Sequence, residues 1–326
     1  MHGATKKRVI LVGAGAVGVA YAHFLQKGGA EIAFFVKPHH KAELAHGVPV
    51  YMLERRHIRD AEPLSDFEVL TTPAEVAART WDEAWLCMSS TALRGPWLVP
   101  FLGALGPVTT LVTLQPGAED REFLAARFPE ARLVSGLITL VAYQTPLPGE
   151  HAHAPGIAVW IPPGAKFPVR GPEAPARAAL ATIEAGGWKT RYLGREVPVG
   201  GAMASAVLSP HVAALEGAGW RFAGLGKNGW GTLAARASRE GLAITAGRRG
   251  KKAPMAAALV RAWLMRAFLG LAAARTPFDF EVYLGYHFTK VRDQTEVGLR
   301  ELIADAKRQG RPAPALTELV TRVFGA

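Results

Sequence analysis

Three glycines spaced as Gly13-Ala14-Gly15-Ala16-Val17-Gly18 carry the strongest chemical signal in the sequence. The spacing G-x-G-x-x-G gives each glycine a mechanical task. The first permits a tight turn, the second lets the backbone approach a pyrophosphate, and the third allows close packing of a helix on a strand. At a helix start, free N–H groups and the macrodipole favour an anion. The flanks agree: apolar Arg8–Val12 precedes the turn, and Val17, Tyr21, Phe24 and Leu25 share one stripe of a helical pattern that ends at Gly28-Gly29. Gly13, Ala14, Gly15, Ala16, Val17 and Gly18 are therefore expected to cradle a dinucleotide.

The end of the second strand chooses between dinucleotides. NAD sites place Asp or Glu there for the ribose hydroxyls, and NADP sites place a cation for the 2′-phosphate. This sequence reads Phe35-Val36-Lys37-Pro38-His39-His40-Lys41, with no acid. Lys37 is expected to meet the 2′-phosphate, which makes NADP the expected cofactor; a solvated lysine at a strand end is the alternative.

These residues need a scaffold to hold them. Arg8–Val12 and residues 31–36, 83–89, 108–115, 133–143 and 156–161 read as strands, with helical patterns such as 119–128 between several of them. Such alternation predicts a parallel-rich sheet covered by helices. Beyond about Arg195 the strand signal fades. Residues 202–218, 254–274 and 278–309 are rich in Ala and Leu and helically patterned, and Gly310, Pro312 and Pro314 predict a stop. The expected fold class is α/β: a Rossmann domain over 1–195, then an all-α domain over 196–326 that serves substrate binding and dimerisation. The Pro/Gly-rich segment 146–156 reads as a loop between strands.

Composition narrows the classes. A length of 326 residues suggests two domains, and 49% hydrophobic with 20% charged residues describes a globular chain rather than a disordered one. No apolar stretch reaches the roughly 18–20 residues of a membrane span, and the opening residues lead straight into a strand without a secretory signal, so a cytoplasmic location without membrane partners is expected. Cys87 is the only cysteine and reads as a small buried hydrophobe. A net charge of +11 suits an anionic ligand or a nucleic acid. The densest cluster, Arg248-Arg249-Gly250-Lys251-Lys252, reads as a solvated basic loop, and no nucleic-acid motif accompanies it. His151 and His153 form a lone pair, too few for a metal site.

With the glycine turn, Lys37 and a helical second half together, the chain resembles the ketopantoate reductase family. The likeness is carried by VILVGAGAVG, WLCMSS, LVTLQPGAE, SGLITLVAYQ, AVLSPHVAAL and AKRQGRPAPAL, and it covers most of the chain. It implies a Rossmann domain joined to a helical domain of the 6-phosphogluconate dehydrogenase-like kind, acting on a small-molecule substrate. Carried over one residue at a time, the resemblance breaks at the chemistry. Ser89 stands where the family has a lysine that contacts cofactor and substrate. Pro116, beside Gln115, replaces the asparagine of the LQNG turn. Gly201 falls at the catalytic lysine, and Ser205 and Ser209 fall at the two asparagines after it, while Pro210 matches the family's proline. The acidic residue that helps hold the cofactor is Glu296 by its Thr-Glu dipeptide, whereas an ungapped count back from Gly310 gives Gln294. Ser89, Gln115 and Glu296 are thus the implied cofactor contacts outside the glycine turn.

A reductase must protonate the developing alkoxide, and positioned acid catalysis contributes about 10²–10⁴-fold. A lysine supplies a donor and a charge; glycine supplies neither. Candidate replacements are His211, which follows Ser209-Pro210, together with Ser205, Ser209 and Lys290, the last sharing a helix face with His287. The expected function is an NADPH-dependent reductase of a small carbonyl or imine compound other than ketopantoate. A non-catalytic NADP-binding sensor or scaffold is the alternative. The apolar stretch 255–274 predicts self-association through the helical domain, with burial inside that domain as the alternative.

Overall fold

Five residues, Arg8–Val12 (β1), bury four consecutive side chains, as a strand covered on both faces must. The structure is a computed structural model that describes every residue except 1–5, 55, 56, 59, 116, 151–153, 196–199, 249 and 326. The chain divides into two compact units, residues 1–197 and 198–326.

In the first unit, β1 is followed by α1 (Ala16–Lys27), β2 (Glu31–Phe35), α2 (Lys41–Leu44), β3 (Val48–Glu54), β4 (His57–Ile58), β5 (Glu62–Leu64), β6 (Phe67–Leu70), α3 (Pro73–Ala77), β7 (Glu83–Leu86), α4 (Leu98–Ala104), β8 (Thr110–Thr113), α5 (Ala118–Ala125), β9 (Leu133–Gly136), β10 (Val141–Thr145), β11 (Gly156–Trp160), β12 (Phe167–Arg170), α6 (Glu173–Ala185) and β13 (Thr190–Tyr192). The main sheet has the order β13-β12-β9-β8-β7-β1-β2-β6. From β9 to β6 its neighbours are parallel, and β12 joins antiparallel to β9. Alternate residues of each strand feed opposite cores. Val9, Leu11, Phe34, Trp85 and Val112 face one core with Tyr21 and Ile183, while Ile10, Ala33, Phe35, Leu86 and Leu111 face the other with Phe101 and Leu124. This is the parallel-rich sheet covered by helices that the sequence predicts.

A second, smaller sheet departs from the sequence reading. β11 pairs parallel with β3, β10 antiparallel with β11, and β4 and β5 antiparallel with β3. The single strand expected over 133–143 is two: β9 closes the main sheet and β10 belongs to the smaller one.

The second unit is helical: α7 (Gly200–Gly217), α8 (Trp230–Gly247), α9 (Ala262–Ala273), α10 (Phe280–Lys290), α11 (Arg292–Arg308) and α12 (Pro314–Phe324). The segment 278–309 is not one helix but two, broken at Val291, whose φ of −118° and ψ of 27° interrupt the helical run. Residues 255–259 form a 3-10 turn rather than the start of α9. α11 ends at Arg308, just before Gly310, as the stop predicts, and Pro314 then opens α12, because a proline in the first turn lacks only an N–H that would be unpaired there. Trp263, Leu264, Phe268 and Leu271 on α9 are exposed, Trp263 to 70%. Among the described residues no helix is long and apolar enough to cross a membrane.

Candidate functional site

The parallel registers Val12↔Phe35, Val12↔Leu86 and Leu86↔Thr113 bring the ends of β2, β1, β7 and β8 to one edge of the main sheet. The strand order reverses direction between β1 and β7, and in open α/β sheets ligands bind outside the strand ends at such a switch point.

The glycine turn stands at this edge. Gly13 has φ +93°, a left-handed conformation that favours glycine, and its N–H donates to the Phe35 carbonyl at 3.0 Å. A Cβ on Gly18 would lie 2.0 Å from the Gly13 carbonyl oxygen, so only glycine lets α1 start this close to β1. A Cβ on Gly15 would meet nothing within 4 Å. Gly15 is the N-cap of α1 and makes no side-chain cap, which leaves the first N–H groups of Ala16, Val17 and Gly18 for a ligand. Ala14 completes the turn, half-buried. A tight turn, an open approach and a helix start fit a pyrophosphate.

Next along the edge, Lys37 follows β2 and is exposed, ahead of the 3-10 turn Pro38–His40. The rings of His39 and His40 lie 4.1 Å apart, and His40 Nδ1 sits 2.9 Å from Glu43 Oε2. Glu43 is an acid the sequence reading does not weigh, and it is paired with His40 rather than standing at the strand end.

On the other side of β1, the loop after β7 carries Ser89. Its hydroxyl lies 3.0 Å from Thr91 Oγ1 and accepts the Ala92 N–H at 3.2 Å, capping a short 3-10 turn. Gln115, buried after β8, donates from Nε2 to the carbonyls of Met88 at 2.7 Å and Leu86 at 3.2 Å. Its amide nitrogen thus braces the β7 loop. Pro116 lies outside the described residues. Cys87 packs beside Gly13 and Gly18, and burial pushes its thiol pKa well up, which suits an inert residue.

Three residues that the sequence does not single out also meet here. Asp120 in the first turn of α5 is buried, accepts from the Ser90 hydroxyl at 2.7 Å, and pairs with Arg94. The one hint in the sequence is an acid at a helix start; its partners lie 26 and 30 residues away.

In the helical unit the candidates separate. Ser205 and Ser209, one turn apart on α7, share a face and are half-buried. His211 stands two residues on, about 200° round the helix. Its ring is buried, with Nδ1 2.8 Å from the Val207 carbonyl and 3.1 Å from Ser238 Oγ of α8. Burial lowers its pKa, so the ring is neutral, and Nδ1–H is committed to Val207. Nε2 then carries a lone pair without a partner. A proton donor needs the opposite state, so this geometry makes His211 a brace of the α7 stretch that contains Pro210 rather than an acid. Gly201 lies in the first turn of α7.

On α10, Lys290 Nζ donates to Tyr286 Oη at 2.7 Å, while burial and the Lys290 charge lower the His287 pKa. Glu296 on α11 pairs with Arg300 at 2.8 Å, and Gln294 lies on the opposite face of that helix. His151, His153 and Arg249 lie outside the described residues. Among those described, no group of three His, Cys, Asp or Glu gathers as metal ligands. A cavity of about 430 Å³ lined by Val99, Leu102, Pro107 and Arg132 opens beyond the start of β8, at the edge away from the glycine turn, and contains none of these candidates.

An open parallel sheet with this turn at its switch point defines the first unit as a Rossmann-type nucleotide-binding domain. Residues 9–166, just under half of the chain, match the family model described as ketopantoate reductase PanE/ApbA. No curated protein matches the sequence. Among solved structures, a PanE/ApbA family ketopantoate reductase from Ralstonia eutropha is 17% identical, with 97% of each chain covered and a TM-score of 0.73. A 2-dehydropantoate 2-reductase from Geobacter metallireducens is 19% identical, with 97% of this chain and 98% of that one covered and a TM-score of 0.69. D-mandelate dehydrogenase, solved with NADH and anilino(oxo)acetate, is 13% identical, with 97% and 96% covered and a TM-score of 0.70. At these identities the likeness is one of fold.

Proposed function

We propose that the protein is an NADPH-dependent reductase of a small carbonyl or imine compound other than ketopantoate. The observation that carries this reading is the glycine turn, which keeps an open helix start at Gly15 and a close approach at Gly18; the family resemblance sets Gly201 where the family has its catalytic lysine. NADPH, when bound, supplies the hydride. The backbone N–H groups at the start of α1 hold its pyrophosphate, and Lys37 pairs with the 2′-phosphate. Gln115 and Ser89 shape the loop after β7, and Glu296 is the acidic contact of the helical unit. D-mandelate dehydrogenase was solved with NADH; Lys37, with no acid at the end of β2, supports NADPH here.

Lys290 is the proton donor in this reading. Its Nζ already donates to Tyr286 Oη at 2.7 Å, whereas burial lowers the His211 pKa. Ser205 and Ser209 offer hydroxyls on one face of α7 to a polar substrate. The protein also pairs with a second copy through the exposed apolar face of α9, where Phe268 is 62% exposed. Light scattering at micromolar concentrations should give a dimer mass, and Trp263→Glu should give a monomer; a monomeric parent protein rejects the pairing.

NADPH oxidation with a panel of small carbonyl and imine compounds tests the activity. At least one compound should turn over, and ketopantoate should not. Turnover of ketopantoate at about 1 s⁻¹ or faster overturns the substrate assignment. NADPH binding without oxidation by any compound favours a non-catalytic NADP sensor or scaffold.

A further inference from the structure

We infer that Asp120 is a positioning residue for the nicotinamide half of the cofactor site, holding the loop after β7 through Ser90 and Arg94. The inference rests on the proposed cofactor reading and adds a part that the glycine turn and Lys37 do not supply. A dinucleotide at a switch point spans two mononucleotide halves. The half built from β1 and β2 holds the adenosine phosphates at the glycine turn and Lys37. The half built from β7 and β8 is left for the nicotinamide, and its edge is the Met88–Arg94 stretch.

That stretch is held from two directions. Gln115 ties the Met88 and Leu86 carbonyls to the end of β8. Asp120, 4% exposed, takes the Ser90 hydroxyl on Oδ2 at 2.7 Å and Arg94 on Oδ1. The same guanidinium donates to the Ser90 carbonyl at 3.0 Å and lies 4.8 Å from the centre of the Phe123 ring. One carboxylate thus fixes both ends of the Ser90–Arg94 turn against α5. Gly117 leaves room for it, since a Cβ there would come within 2.9 Å of Asp120 Oδ2. A buried carboxylate with a single cation is costly to keep unless its hydrogen bonds are complete. Asp120 meets this by taking both of its donors from the loop, so loss of either partner releases the turn. Among the described residues the hydrogen bonds and ion pair of Asp120, Ser90 and Arg94 do not reach β2 or Lys37, and the latch's effect should be confined to one half of the cofactor.

Two ligands separate the halves. Adenosine 2′,5′-bisphosphate contains the ribose phosphates and no nicotinamide, whereas NADPH contains both halves. Calorimetric titration of the full-length protein with each ligand should show that Asp120→Asn weakens NADPH about tenfold and leaves the bisphosphate unchanged. Arg94→Gln, which breaks the latch from the loop side, should do the same. The double variant should be no worse than either single one, because both remove the same constraint. Equal weakening of both ligands in the two variants would mean a general loss of structure and overturn the inference, as would unchanged NADPH affinity. If the unmodified protein binds neither ligand, the cofactor reading itself fails. If it binds both and the variants behave alike for both, only the role of Asp120 falls.

Discussion

The glycine turn of the first unit and helix α7 of the second face different demands and tolerate different changes. The turn offers backbone: on the proposed reading the N–H donors at the start of α1 hold the ligand, and side chains matter chiefly by being absent at Gly13, Gly15 and Gly18. On the proposed reading helix α7 works through side chains, and the resemblance sets Gly201, Ser205 and Ser209 of this helix where the family has a lysine and two asparagines. His211, the strongest acid candidate by chemistry, is taken up by packing against Val207 and Ser238. A backbone site survives wide sequence divergence because any sequence with the right glycines rebuilds it. A side-chain site disappears with a few substitutions while the helix that carried it persists. Cofactor binding and catalysis can therefore diverge separately within one chain.

The largest effect that would break this comparison lies in the turn. Gly18→Ala places a Cβ 2.0 Å from the Gly13 carbonyl oxygen, and backbone cannot yield as a flexible side chain would. Overpacking of this kind costs about 1–3 kcal/mol, and the displaced helix start should weaken NADPH more than about a hundredfold, some 2.7 kcal/mol. Calorimetry and thermal melts check both; unchanged binding would show that the third glycine does not set the cradle.

A smaller effect sharpens the reading of α7. Burial holds the His211 pKa below its ordinary value of 6.5. The unfolded chain takes up a proton at this position near pH 6.5 and the folded chain only at lower pH, so stability falls as the pH drops below 6.5. His211→Gln should cost about 1 kcal/mol at pH 7 through loss of the Val207 hydrogen bond, and should flatten the decline in stability between pH 6.5 and 5. Urea melts across that range measure it. An unchanged slope would mean that the ring is not buried in its neutral form.

The parts of the molecule that sequence discloses are those whose causes are local. β1, β2, β7 and β8 announce themselves by unbroken apolar runs, and Gly13 to Gly18 by spacing alone, since each glycine's task depends on atoms a few residues away. The smaller sheet was not legible. β3 and β5 contain Pro49 and Pro63 and pair with each other, and β3 also takes β11 as a partner about a hundred residues on. Pro314 reads as a stop or a start depending on which side the helix lies. α8, a run of small residues broken by Arg239 and Glu240, lacks a conspicuous apolar stripe, yet it packs against α7 and α12. In the candidate site, the place of Lys37 just after β2 follows from the strand pattern. The Asp120 latch was not legible, because its partners are fixed by the sheet order and not by spacing. The same holds for His211: sequence supplies its chemistry, while only the packing of α7 on α8 shows that Nδ1 is already committed.

On the proposed reading the edge of β1 and β2 takes the phosphorylated cofactor. The most direct test of that reading is a pair of dissociation constants, for NADPH and NADH, on the unmodified protein and on Lys37→Ala. A hydrogen bond to a charged group contributes roughly 1.5–3 kcal/mol. The unmodified protein should therefore prefer NADPH by about ten- to more than a hundredfold, and Lys37→Ala should erase that preference while leaving NADH affinity unchanged. Equal affinities in the unmodified protein, or a Lys37→Ala variant that still prefers NADPH, would contradict the account.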